Sequence, residues 1–181
     1  MPSHAVGLQL FNEHMEQESK VSNVVGLYIC ASAGQPMEAQ TQARALAASG
    51  FAGDRYATNQ GTFSHSARHV MRHVSLIARE AIEEANRILV ERGLAPFGLH
   101  ETRRNIITEG ADVNALLGRE FRIGDVRMRG TEPTTPCLRP SALVQKPGFA
   151  EAFATRGGVR AEVLSDGIIS VGDFITLGRL A

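Results

Sequence analysis

The chain has 181 residues, with 19 basic and 19 acidic side chains and no tryptophan. This length fits one domain that buries its own hydrophobic core. The balanced charge gives no support for nucleic-acid binding, and no apolar run reaches the roughly 18 residues that a membrane-spanning helix needs.

The first 22 residues are polar and lack both the basic and the apolar regions of a signal peptide. Leu8, Phe11 and Met15 have a spacing that allows a short amphipathic helix or a strand–helix lead-in. We therefore expect a lead-in over residues 1–22 and one domain over residues 23–181. The two cysteines are too few for a disulfide framework, so we expect a reducing, cytoplasmic setting.

Residues 23–31 are apolar and rich in β-branched side chains, which predicts the first strong strand. Cys30 lies near the end of this run and is interpreted as a buried core thiol. The alanine-rich residues 39–49 are compatible with a helical turn or an edge strand. Residues 73–77 alternate as a strand does, and residues 78–92 carry one apolar stripe typical of a helix, ended by a glycine at position 93.

The remaining chain alternates short apolar runs with Gly-Asp turns. Strands are predicted from residue 103 to 108, on both sides of Gly124-Asp125, from 159 to 164, and on both sides of Gly172-Asp173, with helical turns at 113–117 and 149–154. Many short strands and one long helix favour a mainly β fold. We predict a closed or nearly closed mixed β-barrel with a few peripheral helices.

Three histidines, His65, His69 and His73, follow one another at intervals of four residues. On a helix they would share one face, which raises the question of zinc. The segment lacks the glutamate of an HExxH motif, and its glycine, threonine and serine favour a loop entry instead. A structural metal, a basic rim beside an anionic ligand and a solvated surface all stay open.

Residues 131–140 contain three prolines and one cysteine. Each proline fixes its φ angle and lacks an N–H donor, so we expect a stiff loop without regular structure that holds the Cys137 thiol in place. Arg139 follows two residues later, and Arg127 and Arg129 precede the loop. A nearby guanidinium favours the thiolate, which is the nucleophile and soft metal ligand.

Residues 155–160 offer two glycines, Gly157 and Gly158, between Arg156 and Arg160. Glycines allow a ligand to approach the backbone closely, and arginines bind phosphate or carboxylate. This turn is a candidate anion site, and a tight turn without a ligand is the alternative.

Several motifs together resemble the MOSC domain family, which is named for the C-terminal part of molybdenum-cofactor sulfurase. Six short motifs have the order and spacing of that family over most of the chain from residue 21 onwards: Gly53-Asp54-Arg55-Tyr56, Arg103-Arg104-Asn105-Ile106, Phe121-Arg122-Ile123-Gly124-Asp125-Val126, Thr135-Pro136-Cys137, Arg156-Gly157-Gly158-Val159 and Val171-Gly172-Asp173. Each motif is weak alone, and their shared register is fairly specific.

The resemblance implies a β-barrel that binds the molybdenum cofactor, a pterin dithiolene with a phosphate and a metal. Cys137 matches the family cysteine, which coordinates molybdenum in relatives that reduce N-hydroxylated compounds and is a proposed persulfide carrier in the sulfurase. The residues expected to hold the cofactor are Arg55, Arg103, Asn105, Thr135, Arg139, Arg156, Gly157 and Gly158. Pyridoxal phosphate binding is a further association of the family.

The chain departs from the reductases of that family in two respects. Its length leaves no room for their additional N-terminal barrel or ferredoxin-like domain, and Pro36-Met37 stands where some relatives have a lysine–serine pair. Electrons for a reductase would come from a separate flavin or iron–sulfur partner, since the chain has no dinucleotide fingerprint and no cysteine cluster. The alternatives are a non-catalytic carrier that delivers sulfur or cofactor to a partner enzyme, and a module for another anionic molecule.

Overall fold

The computed structural model describes residues 22–62, 64 and 71–177. The strands are β1 (Asn23–Ile29), β2 (Glu38–Gln40), β3 (Gln42–Leu46), β4 (Gly50–Phe51), β5 (Val74–Ala78), β6 (Ile106–Glu109), β7 (Glu120–Ile123), β8 (Val126–Pro133), β9 (Val159–Val163), β10 (Gly167–Ser170) and β11 (Ile175–Leu177). The helices are α1 (Arg79–Glu91), α2 (Arg139–Val144) and α3 (Phe149–Ala152), with 3₁₀ turns at His100–Thr102 and Val113–Leu116. The predicted lead-in lies outside the described residues.

Eight strands form one mixed sheet in the order β11-β7-β8-β9-β5-β6-β1-β2, and β10-β3-β4 form a second sheet. The parallel pair β5–β6 is joined through α1, because parallel neighbours need a crossover connection. The large sheet is strongly curled, and an isolated bridge between Asn23 and Phe174 links β1 to the start of β11. The prediction of a mainly β, barrel-like fold is confirmed, although the barrel is not fully closed.

The curled sheet buries apolar side chains on both faces. Its inner face encloses one cluster that includes Val74, Leu76 and Val159, whereas Ile77 and Ile107 point outward into a second cluster beneath α1 and α3. Successive side chains of a strand point to opposite faces, so β5 contributes to both clusters. The stripe predicted for α1 faces this outer cluster through its buried residues.

Two predictions about local structure are resolved by the strands and helices. Residues 39–49, left open between helix and strand, are covered largely by β2 and β3. The expectation of an irregular loop over residues 131–140 is wrong at both ends. β8 continues to Pro133, a terminal strand position, and α2 begins at Arg139 with Pro140 in its first turn. Proline is tolerated there because first-turn N–H groups have no partner within the helix.

No helix in the described part of the chain is long and apolar enough to span a membrane.

Candidate functional site

A cavity of about 610 Å³ lies beside the cysteine loop, on the outer face of the large sheet. Its floor includes Ser75 and Arg160, which alternate along β5 and β9 with side chains of the inner core. Glu132 of β8 lies directly opposite Arg160 in the strand pairing and lines the same floor. The wall is completed by residues 133–137, the start of α2, Phe149 and the segments around Arg55 and Arg103.

Cys137 lines this cavity on the loop between β8 and α2, and its side chain is exposed. The loop is held from behind by the glycine turn, since the Thr134 N–H donates to the Gly158 carbonyl oxygen at 2.8 Å. Thr134 is also buried, and its Oγ1 has no hydrogen-bond partner among the described residues. A buried hydroxyl normally finds a partner, so this unpaired atom departs from the usual pattern.

The cavity is rich in positive charge. Six arginines line it against a single carboxylate, that of Glu132. Glu132 Oε1 accepts from Arg72 Nε at 2.6 Å and lies 3.2 Å from Arg160 Nε. The lining therefore favours an anionic ligand.

Arg103 and Arg139 have no carboxylate partner among the described residues. Arg103 Nη1 donates to the Gln35 carbonyl oxygen at 2.8 Å, and Nη2 lies 3.5 Å from Cys30 Sγ. Burial lowers the pKa of Arg103, and so do the positive charges of Arg55 and Arg139, which line the same cavity. Like charges gathered in one place indicate a site for negative charge.

Asp54 organises the side of the cavity that carries Arg55. This fully buried carboxylate accepts from the backbone N–H groups of Cys30 and Tyr56, at 3.1 and 3.0 Å, and pairs with Arg55 Nη1 at 3.3 Å. Arg55 also donates to Met37 Sδ at 3.3 Å. The carboxylate of Asp54 thus holds Arg55 in place, and both residues belong to the Gly-Asp-Arg-Tyr motif.

Arg104 is a buried cation that the sequence interpretation did not single out. Its Nε donates to the Gly157 carbonyl oxygen at 2.8 Å and its Nη1 to the Thr102 carbonyl oxygen at 3.0 Å, and it lines the cavity. Burial, followed by the charge of Arg160, lowers the pKa of Arg104 to about 9. Its guanidinium is therefore still charged at neutral pH and has no carboxylate partner among the described residues.

The structure brings together five of the predicted site residues, which all line the cavity: Arg55, Arg103, Thr135, Cys137 and Arg139. It also shows that Cys30 is fully buried, with its Sγ 2.9 Å from the Ser32 carbonyl oxygen, as expected for a core thiol.

Asn105 lies behind the cavity wall rather than in its lining. Its Oδ1 accepts from the Ser75 N–H and hydroxyl, at 3.2 and 3.0 Å, and its Nδ2 donates to the Tyr28 carbonyl oxygen and to Asp54 Oδ2, both at 3.1 Å. The amide thus uses all of its hydrogen-bonding capacity within the protein. Its predicted contact with a cofactor stays a prediction.

In the arginine–glycine turn, Arg160 lines the cavity, whereas Arg156, Gly157 and Gly158 lie outside the lining. Arg156 Nη1 donates to the Ala152 carbonyl oxygen at 2.7 Å. A Cβ at Gly157 would lie 2.0 Å from the Thr134 carbonyl oxygen, and one at Gly158, where φ is +89°, would lie 2.0 Å from that of Leu76. The two glycines allow the cysteine loop and β5 to approach closely, so their ligand contacts also stay predictions.

Of the arginines that the sequence places near Cys137, Arg139 lines the cavity, whereas Arg127 and Arg129 do not. Arg127 and Arg129 lie on the exposed face of β8 and pair with Glu120, at 3.3 and 2.6 Å. The other cavity cations are Arg55 after β4, Arg72 before β5, Arg103 and Arg104 before β6, and Arg160 of β9.

Of the three histidines that raise the possibility of a zinc site, only His73 lies in the described part of the chain. His65 and His69 lie outside the described residues. His73 is buried, and its Nδ1 accepts from the Val163 N–H at 3.0 Å, so this ring nitrogen has a structural role. In the described part of the chain, no three or more His, Cys, Asp or Glu side chains form a group that could hold a metal ion.

The comparisons with known proteins identify the family. The model of the MOSC domain matches residues 64–176, more than half of the chain, and the chain therefore belongs to the MOSC domain family. Members of this family bind the molybdenum cofactor or take part in sulfur chemistry. No curated protein matches the chain.

Solved structures with low sequence identity share the fold. The YuaD protein from Bacillus subtilis has a TM-score of 0.69 and 18% identity, over 86% of this chain and 95% of that chain. YiiM from Escherichia coli has a TM-score of 0.61 and 16% identity, over 88% and 71% of the two chains. YiiM from Geobacillus stearothermophilus has a TM-score of 0.57 and 15% identity, over 88% and 74%.

Proposed function

We propose that the cavity binds the molybdenum cofactor and that the loaded protein reduces N-oxygenated substrates. The observation that supports this most is the convergence of Arg55, Arg103 and Arg139 next to the exposed Cys137 thiol. Guanidinium groups suit the phosphate of the pterin, and a thiolate suits molybdenum, which accepts soft sulfur ligands.

The residues present fit such a group. One cysteine is the only soft anionic donor in the cavity lining, and no cluster of protein ligands accompanies it in the described part of the chain. A metal bound there would need its other ligands from elsewhere, as a dithiolene cofactor provides.

In this proposal Cys137 ligates the metal, and Arg103 and Arg139 hold the phosphate, with Arg55 beside them. Thr135 lines the same wall and adds a hydroxyl. When bound, the cofactor would supply oxygen-atom transfer coupled to a two-electron redox change.

The other predicted residues would act from behind the wall. Asn105 joins the segment before β6 to Asp54 and Ser75. Gly157 and Gly158 let the cysteine loop pack against β5, and Arg156 caps the chain after α3. A separate flavin or iron–sulfur protein would deliver the electrons.

The test is the molybdenum and pterin content of protein produced in a cofactor-competent host, with the Cys137→Ala variant and the matched Cys30→Ala variant. We expect stoichiometric molybdenum in the wild type and in Cys30→Ala, and none in Cys137→Ala. The wild type should then oxidise an artificial electron donor when benzamidoxime is added. Pterin bound equally by the wild type and Cys137→Ala would favour an anion-binding module in which Cys137 is incidental, and no pterin in any of them would refute the proposal.

A carrier of sulfur or cofactor is the second candidate, and the exposure of Cys137 supports it. A thiolate that a partner protein can reach could accept a sulfur atom from a donor persulfide and release the donor's thiolate. Persulfide on Cys137 without electron transfer from the artificial donor would favour this function. Pyridoxal phosphate is less suited to the site, because no lysine lines the cavity in the described part of the chain.

A further inference from the structure

We propose that Tyr56 and Arg104 form a subsite that takes the oxygen of an N-hydroxylated substrate, and that the Tyr56 hydroxyl donates a proton as the N–O bond breaks. The proposal rests on the reductase function proposed above. Both residues line the cavity that contains Cys137.

The Tyr56 ring is held in place by its neighbours. The guanidinium carbon of Arg55 lies 5.0 Å from the ring centroid, a cation–π arrangement. A Cβ at Gly61 would come within 2.5 Å of the ring, so the ring packs against a backbone that only glycine permits. The Tyr56 N–H is fixed as well, because it donates to Asp54 Oδ1 at 3.0 Å.

The Tyr56 hydroxyl is left open despite this fixed ring. No described residue forms a hydrogen bond with it, and the side chain is half-buried in the cavity wall. A tyrosine hydroxyl with an apolar ring held in the protein usually finds a partner. The Tyr56 hydroxyl, which has no bond to a described residue, can therefore meet a ligand in the cavity.

Arg104 provides the charge that such a proton donor needs. It is a buried cation fixed by two carbonyl oxygens, and it lines the same cavity as Tyr56. A phenolate that forms beside a guanidinium is stabilised by its charge. The same guanidinium can donate a hydrogen bond to the substrate oxygen, which orients the N–O bond toward Tyr56.

The reaction balances with the donor already proposed. Two electrons from the flavin or iron–sulfur partner and two protons convert the N–OH group into N–H and water. The N–O bond breaks, the nitrogen is reduced, and the oxygen leaves as water. One proton comes from Tyr56, which regains it from solvent, and the other comes directly from solvent.

The chain contains two tyrosines and no tryptophan, which makes the test direct. Tyr28→Phe leaves Tyr56 as the single tyrosine, and Tyr56→Phe leaves Tyr28, which lies outside the cavity lining. We expect benzamidoxime to change the tyrosine fluorescence of Tyr28→Phe saturably and to leave that of Tyr56→Phe unchanged. In the loaded protein, Tyr56→Phe should lower kcat by about 100-fold with unchanged molybdenum content, since a positioned general acid contributes about that much. Tyr28→Phe should keep the wild-type kcat.

Two results would overturn the subsite. One is a Tyr56→Phe protein that reduces benzamidoxime as fast as the wild type, and the other is a Tyr28→Phe protein whose fluorescence ignores benzamidoxime. Failure of the proposed function looks different, because the wild type would then hold no molybdenum and reduce nothing. The proton-donor role would fall with it.

Discussion

Asn105 donates from its Nδ2 to Oδ2 of the buried Asp54 carboxylate, at 3.1 Å, across 51 positions of sequence. The same oxygen accepts from the Cys30 N–H and pairs with Arg55. One carboxylate therefore joins the end of β1, the segment after β4 and the segment before β6. The segment after β4 carries Arg55 and Tyr56 to the cavity, and the segment before β6 carries Arg103.

Asp54→Asn should weaken the fold and the site together. The change removes the negative charge that compensates Arg55. It also replaces one acceptor oxygen by an N–H₂ donor, although the neighbours of this side chain are themselves donors. We expect the free energy of unfolding to fall by about 3 kcal/mol. Urea denaturation measures this. Asp166 is a matched control, because its exposed carboxylate also accepts from a backbone N–H, that of Ala47 at 2.7 Å. Equal losses in Asp54→Asn and Asp166→Asn would contradict the role of Asp54.

Arg103→Gly should separate the binding role of Arg103 from any structural role. Arg103 has φ of +61°, a left-handed conformation that costs a non-glycine residue about 1 kcal/mol. Relief of this strain should roughly offset the lost hydrogen bond to Gln35, so the melting temperature should change little while the molybdenum content falls. Gln145→Gly is the control, since Gln145 has φ of +55° and lies outside the cavity lining. It should gain stability and keep its molybdenum. An Arg103→Gly protein that keeps full molybdenum would argue against the phosphate-binding role.

Gly157→Ala should displace the cysteine loop without touching the cavity lining. The added Cβ would lie 2.0 Å from the Thr134 carbonyl oxygen and 2.9 Å from Pro136, and we expect the overpacking to cost about 2 kcal/mol. Cys137 is exposed and Cys30 is buried, so one thiol of the native protein should react quickly with DTNB. The rate at Cys137 should change in Gly157→Ala. It should stay as in the wild type in Gly172→Ala, whose added Cβ meets no atom within 4 Å and whose backbone strain, at φ of +98°, lies outside the cavity lining.

The stability of the protein should fall as the pH drops below about 6.5, the ordinary pKa of histidine. Burial lowers the pKa of His73, a smaller effect of Glu162 opposes this, and the neutral ring accepts from the Val163 N–H. The unfolded chain then binds more protons than the native protein, so the free energy of unfolding is largest above pH 6.5 and is lost as the pH falls through the lowered pKa. Urea denaturation at pH 7.5 and 5 should show a smaller pH dependence for His73→Gln. The exposed His100 is the control, and His100→Gln should keep the wild-type dependence.

Much of the strand pattern is readable from the sequence, because strands such as β9 alternate and turns such as Gly124-Asp125 punctuate them. The family resemblance also predicts that Cys137, Arg55 and Arg103 lie in one site. The local sequence pattern does not reveal which neighbouring groups form hydrogen bonds with a side chain. Asn105 looks free in the sequence, and its amide is saturated by partners on three other segments.

The converse holds for Arg104 and Thr134. Nothing in the dibasic pair at 103–104 shows that Arg104 is buried, because its partner is the carbonyl oxygen of Gly157, 53 positions away. Thr134 stands out only in the folded protein, where its buried Oγ1 has no hydrogen-bond partner among the described residues. Both features depend on how the cysteine loop, the glycine turn and β5 meet in space.

The cavity lies on the outer face of strands whose inner faces build the core. Alternate positions along one strand therefore contribute either to the core or to the cavity lining. Val74, Leu76 and Val159 belong to the core that holds the sheet together, whereas Ser75 and Arg160 face the cavity. Ligand preference can therefore diversify by substitution at every second position while the interior stays intact. Divergence to 15–18% identity with a shared fold is compatible with such a division of labour.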